Sequence, residues 1–250
     1  MYILAKKKRE VGTDVVRLLR IHRRNRMATK KDTTVKEIGL VQFEKATIRV
    51  RIVGDSPLIM NAWSEKAKKE MLDKQTKTVK KGAKAAKNPV ADFINSMYWM
   101  TPKPEEMTME AFEEACRKGA SWGFPASAFK QAISSGAYRL GVLDGKKTEL
   151  DAAFYIEGGQ EQMVEIHIPE GTMPVIREDM VKVGGITKTA DLRYRGEFRN
   201  WWADLVITYI KGGKFSAEQI VNYINAGGMC CGVGEWRMER KGQYGLFHVE

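Results

Sequence analysis

Residues 200–249 read NWWADLVITYIKGGKFSAEQIVNYINAGGMCCGVGEWRMERKGQYGLFHV. Asn200–Ile210 alternates around Trp202, Leu205, Ile207 and Tyr209, the period of a half-buried strand. Ser216 is placed to cap a helix over Ser216–Ala226, with Glu218 in its first turn, and Gly227-Gly228 is placed to end it. A glycine-rich loop then leads to a closing strand over Tyr244–Val249. Strand, helix, glycine loop and strand in that order predict an α+β domain. In the loop, Gly232 and Gly234 permit positive φ and the close approach of a phosphate backbone. Arg237, Arg240 and Lys241 supply charge there, while Trp236 and Tyr244 supply faces for base stacking. A wide hairpin with its aromatics packed inward has the same composition.

Upstream, Glu44–Gly54 alternates as a strand and Asp55-Ser56-Pro57 breaks it. Trp63–Thr78 has helical composition with Ser64 as N-cap, and Lys77–Lys87 reads as an exposed lysine loop around Gly82. Helices are predicted from Pro89 to about Trp99, over Thr108–Lys118, and from Pro125 to about Arg139. Strands are predicted at 152–157, 162–168, 173–183 and 190–198. The apolar runs stay short of the roughly 18 residues of a membrane helix. Met1–Ala5 is too short for a secretory core before Lys6, and Cys116, Cys230 and Cys231 form neither a CxxC pair nor an even framework. A cytoplasmic protein with reduced thiols is expected, in the host cytoplasm if a phage encodes it, with no membrane partner.

The net charge of +11 is unevenly placed. Residues 1–31 hold eleven Lys and Arg against two acids, and residues 65–87 hold nine Lys against three acids, which leaves −4 for the remainder. Two basic segments on a slightly acidic body are the footprint of a polyanion partner. A solvated lysine helix with a basic tail would have the same charge. Residues 1–43 read as that tail, in which Val15–Ile21 has the pattern of a short amphipathic helix. Arg23-Arg24-Asn25-Arg26 before Met27 back-translates to AGG-AGA-AAT-AGA, a purine-rich leader of the ribosome-binding type. Residues 1–26 are therefore expected to be a leader or an alternative start. Without them the net charge falls to +4, since they carry nine basic and two acidic residues.

Catalytic motifs are sparse. Gly141–Thr148 has three residues between its glycines where a P-loop has four, and reads as a hairpin turn at Asp144-Gly145. There is no HExxH and no GxSxG. His167 and His248 fall in strands, and no nucleophile or carboxylate pairs with them by spacing. No cofactor and no metal are expected, and the protein is expected not to be an enzyme.

The strand–helix–glycine loop–strand ending, with Gly232 and Gly234 and then Gly242 and Gly245 before Phe247, resembles the RAMP superfamily of CRISPR-associated RNA-binding proteins. Phe124-Pro125-Ala126-Ser127-Ala128-Phe129-Lys130 resembles that family's Pro-x-Ser-x-x-Lys helix start. The outline from Val53-Gly54-Asp55-Ser56-Pro57-Leu58-Ile59-Met60 onward is similar to a group of uncharacterised bacteriophage proteins, and within it to the CRISPR backbone subunit, whose copies polymerise along RNA. Two residues separate Gly242 from Gly245 where the family often has one.

The resemblance implies a ferredoxin-like, RRM-like antiparallel core over 44–250 with a helical, lysine-rich insertion at about 63–118. It implies that Lys66, Lys68, Lys69, Lys74, Lys77, Lys80, Lys81, Lys84 and Lys87 reach over a bound strand. Lys130, Arg193, Arg195 and Arg199 would add phosphate contacts, Arg193 and Arg195 sharing one strand face. Charges on a solvated sheet edge would have the same pattern. The expected function is non-enzymatic binding of single-stranded RNA or DNA with little sequence preference, as a side-by-side homo-oligomer, in phage replication, recombination or RNA protection. The alternatives are a metal-independent RAMP-type endoribonuclease using His167 or His248, and a phage assembly protein. Sequence leaves RNA and DNA undistinguished.

Overall fold

The computed structural model describes residues 42–250 apart from 64, 77–86 and 184–188. In chain order the described elements are β1 (Lys45–Gly54), β2 (Leu58–Met60), α1 (Glu65–Gln75), α2 (Pro89–Asn95), α3 (Met109–Arg117), β3 (Trp122–Pro125), α4 (Ala126–Arg139) and α5 (Lys147–Ala153). They continue with β4 (Phe154–Glu157), β5 (Met163–Ile166), β6 (Val175–Val183), β7 (Thr189–Phe198), β8 (Trp202–Ile210), α6 (Ala217–Cys230) and β9 (Phe247–Val249). This is a mixed α+β fold whose sheets are antiparallel.

The alternation of β1 sorts its residues to two faces: Val50 and Ile52 are buried, whereas Thr47, Arg49 and Arg51 are exposed. β1 pairs with β8 over its length, and β4 and β9 complete a four-stranded sheet in the order β4-β8-β1-β9. β1 and β4 both run antiparallel to β8, so they are parallel to each other, with α4 in the connection between them. By the same reasoning β8 and β9 are parallel and α6 joins them. Phe129 of α4 meets Phe247 of β9 edge-on at 6.0 Å, and Ile133, Leu205, Ile220 and Ile224 are fully buried in the same core.

The helix predicted to end at Gly227-Gly228 instead runs through both glycines to Cys230. A Cβ on Gly227 would lie 2.7 Å from Ile133 Cα, one on Gly136 would lie 2.5 Å from Ala226 O, and one on Gly228 would lie 1.9 Å from Phe247 O. These glycines let α4, α6 and β9 touch backbone to backbone, which outweighs their helix propensity cost of about 1 kcal/mol each. The closing strand is correspondingly short, because Tyr244–Leu246 bond to the loop and to Ser56 and Pro57 instead. Asp144-Gly145 joins α4 to α5, two helices rather than two strands.

β2, β7 and β6 form a second sheet in that order, and β3 pairs with β5 in a third. β2 and β3 went unread in the sequence, being short and continuously buried rather than alternating. α2 and α3 lie between β2 and β3, where Phe93 and Phe112, both fully buried, meet edge-on at 4.9 Å. The helix from Pro89 stops at Asn95 rather than near Trp99, because Trp99 turns back to bridge Trp122. Among the described residues no helix is long and apolar enough to cross a membrane.

Candidate nucleic-acid interface

The glycine loop lies on β2. Gly232 has φ 66° and Gly234 φ 83°, and a Cβ on either would meet backbone: Gly245 O at 2.9 Å and Ile59 O at 2.6 Å. Val233 N–H donates to Gly245 O and Glu235 N–H to Ile59 O, each at 2.9 Å. The expected freedom for a phosphate at these two glycines is thus used within the protein, a correction to the sequence reading. Arg237 is also committed internally, donating to Gly234 O at 3.1 Å and to Glu239 at 3.1 and 3.0 Å. Trp236 is half-buried with φ 54°, and its indole N–H is buried without a hydrogen-bond partner in the described structure. The Tyr244 ring carries the Arg177 guanidinium at 4.4 Å. Arg240 and Lys241 are exposed and make no ion pair among the described residues.

The arginines expected to form a phosphate track are met by carboxylates. β6 and β7 pair with Arg177 opposite Arg195 and Asp179 opposite Arg193. Arg195 is 7% exposed and donates to Asp179 at 3.1 Å, so it is not a surface phosphate contact. Arg199 donates to Glu197 at 2.7 Å, and Arg193 pairs with Asp191 at 3.1 Å. Arg177, absent from the sequence reading, bonds both Asp179 and Glu197 at 2.9 Å. Burial would push the Glu197 carboxyl up, but Arg199 and Arg177 hold it below the usual carboxylate range. Period-two reasoning put Arg193 and Arg195 on one face; Asp191 and Glu197 of the same strand share that face at the same spacing, while Asp179 reaches Arg195 from β6, whose register sequence does not reveal.

Lys87 pairs with Asp191, whose carboxyl is lowered chiefly by that bond, and also donates to Leu192 O. Lys69 is exposed on α1, and Lys130 lies 5.6 Å from the Phe154 ring centre. The side chains of Lys66 and Lys74, and all of Lys77, Lys80, Lys81 and Lys84, lie outside the described residues.

Two concavities meet at one side chain. An outer groove of about 580 Å³ is lined by Trp63, Lys68, Tyr98, Trp99, Lys103 and Met163 among others. An inner pocket of about 180 Å³ is lined by Asn61, Tyr98, Phe124, Gln131 and Glu235, with Gly232, Gly234 and Arg237 on its loop side. Tyr98 lines both. Trp63 is 62% exposed. Trp99 Nε1 donates to Ile94 O at 2.8 Å, and Lys103 to Asn95 at 2.6 Å. Burial, and secondarily the Glu235 charge, raise the Tyr98 hydroxyl above its ordinary pKa, which keeps it a donor. Of the residues singled out in the sequence, Lys68 lines the outer groove and Gly232, Gly234 and Arg237 line the inner pocket, the two sharing Tyr98. Trp63, Tyr98, Trp99 and Lys103 were missed in the sequence, where the only signal was an aromatic pair beside a proline-rich connector.

The two histidines lie on the face of the four-stranded sheet away from α4 and α6. His248 pairs with Val53, Val53 with Trp202, and Trp202 with His167. Three strand steps of about 4.8 Å separate the histidines by about 14 Å. The His167 ring stacks on Trp202 at 5.7 Å, and His248 Nδ1 lies 2.6 Å from Asp55 Oδ1. On the same face Arg51 makes two bonds to Asp204, at 2.9 and 3.1 Å.

No family model and no curated protein matches this sequence. Among solved structures, the chain is similar to the crystal structure of Cmr6 from Pyrococcus furiosus, with a TM-score of 0.37 and 9% identity over 84% of this chain and 100% of that one.

Proposed function

We propose that this protein binds single-stranded nucleic acid without acting on it chemically, with the strand lying in the groove that Tyr98 joins to the glycine-loop pocket. The observation that carries the reading is that groove: exposed Trp63 with Tyr98 and Trp99 beside Lys68 and Lys103. Aromatic faces stack unpaired bases of any sequence, and lysines follow the backbone. A duplex hides its base faces, so the same surface selects single strands. In this reading the sheet order β4-β8-β1-β9 with its two βαβ connections is a ferredoxin-like core of RAMP type.

We further propose side-by-side assembly of copies along the strand. Two apolar surfaces support it. Leu140, Val142 and Met229 are exposed around a concavity at the ends of α4 and α6, and Ile176, Met180 and Leu192 are exposed on the β6–β7 hairpin. Two different patches that cover each other form a heterologous contact, which repeats rather than closing in a pair. Such a coat suits phage replication, recombination or RNA protection.

The test begins with the 260/280 nm absorbance ratio of protein purified without nuclease. Salt titrations of binding to labelled single-stranded RNA and DNA follow, for the full chain and for Trp63→Ala. We expect binding that weakens steeply with salt, and a Trp63→Ala loss of about 1–3 kcal/mol, the worth of one stacked base. Absence of binding to either probe at low salt overturns the reading. Cleavage of the RNA probe in the same mixtures, lost in His167→Ala or His248→Ala, would establish the endoribonuclease in its place.

A further inference from the structure

We infer that the inner pocket under the glycine loop is a reader for a guanine base. This rests on the binding reading above and names one position at which the groove is selective. The pocket's lining combines polar side chains with apolar Phe124, Ala128 and Ala132. Three of these groups retain bonding capacity. The Glu235 carboxylate accepts one bond from Asn61 at 3.0 Å and has Arg195 only at 4.0 Å, with 40% of its side chain exposed. A carboxylate offers about four lone-pair sites, so several remain. The Tyr98 hydroxyl and the Gln131 amide make no hydrogen bond among the described residues.

Of the common bases, guanine alone places two adjacent donors, N1–H and the 2-amino group, beside an acceptor, O6, on its pairing edge. Glu235 meets the two donors and Tyr98 donates to O6. The Gln131 amide meets a remaining ring nitrogen or amino hydrogen. Adenine and cytosine offer the carboxylate one amino donor beside a bare ring-nitrogen lone pair, and uracil or thymine one N3–H flanked by carbonyls, so each makes one bond against a facing lone pair where guanine makes two. The pocket holds roughly six waters' worth of volume, counting about 30 Å³ each, enough for one planar ring system. Phe124 meets Tyr98 edge-on at 5.6 Å, which fixes the wall against which that ring would lie.

The experiment measures binding of GMP, IMP, AMP and UMP to the full chain by ligand-observed NMR. In parallel, an oligouridine is compared with the same oligouridine carrying one central guanine. GMP is expected to bind about tenfold more tightly than AMP or UMP, with IMP, which lacks the 2-amino group, in between. The guanine-bearing oligonucleotide should gain by the same factor over plain oligouridine, and Glu235→Gln should bring both ratios to one. Equal binding of the nucleotides, or a preference that survives Glu235→Gln, overturns the inference. If oligouridine binds but GMP is not preferred, the pocket assignment alone falls. If GMP is preferred but oligouridine does not bind, the pocket stands and the groove reading falls.

Discussion

Arg195 illustrates how a residue's type and its place in the fold diverge. An arginine on an alternating strand of a basic protein is a reasonable phosphate contact, yet here it is 7% exposed and bonded to Asp179. The network of Arg177, Asp179, Arg195, Glu197 and Arg199 holds β6 to β7. Its pH behaviour follows from direction alone. Glu197, Asp191 and Asp204 all have carboxyls held below their ordinary range in the folded state: Glu197 by Arg199 and Arg177 against its burial, Asp191 chiefly by Lys87, Asp204 chiefly by Arg51. A group whose folded pKa is depressed stabilises the fold at pH values above its unfolded pKa, and that contribution is lost as pH falls through the folded one. Urea midpoints should therefore stay level from neutral pH to about pH 5 and fall below about pH 4.5, where ordinary carboxylates begin to protonate. Glu197→Gln should flatten part of that fall. An acid slope identical in the variant would remove Glu197 from the explanation.

At the scale of elements, the α4–α6–β9 contact depends on the absence of side chains. Gly136, Gly227 and Gly228 each sit where a Cβ would overlap backbone atoms. Backbone atoms of packed helices and strands cannot move aside as a flexible side chain can, so Gly228→Ala should cost about 2–3 kcal/mol in urea unfolding. Gly159→Ala is the matched control: its added Cβ meets nothing closer than 4.0 Å, and a change within about 0.5 kcal/mol is expected. Equal midpoints for the two variants would mean that α6 and β9 can separate without loss. The β6–β7 hairpin shows the converse case, with apolar Met180 and Leu192 opposite each other in register and exposed at 64% and 40%.

On the scale of the whole molecule, the positive charge is concentrated in two segments, and the proposed groove touches one of them at Lys68. The body outside the two basic segments carries a net −4, and the groove takes one cation from each part, Lys68 from the 65–87 segment and Lys103 from the body, so binding there draws on local charges rather than on the average field. The two exposed apolar patches make assembly testable independently of nucleic acid. Leu140→Glu and Met180→Glu should each stop growth of the assembly in sedimentation velocity. Mixing the two variants should restore one contact and give a species of two chains, because each keeps the patch the other has lost. A mixture that stays single-chain would reject the head-to-tail arrangement.

By itself the sequence determined the mixed α+β class and most elements: the alternation of Glu44–Gly54 and the capped start at Ser216 are local patterns read correctly from spacing, and the strand over Asn200–Ile210 was found, although Trp202 falls on the face opposite Leu205 and Ile207. It also located the glycine loop and its aromatics. Tertiary structure decided what those residues do. The glycines of the loop and of α6 serve close packing because of which backbone happens to face them, and a residue string does not record that neighbour. Arg193, Arg195 and Arg199 are neutralised in part by carboxylates two residues away in sequence, Asp191 beside Arg193 and Glu197 beside Arg199, and in part by Asp179, which strand register brings from β6 to Arg195. The groove depends on Tyr98, whose neighbours Trp63, Gln131 and Glu235 are distant in sequence, and such convergence exists only once β2, α4 and the glycine loop have packed together.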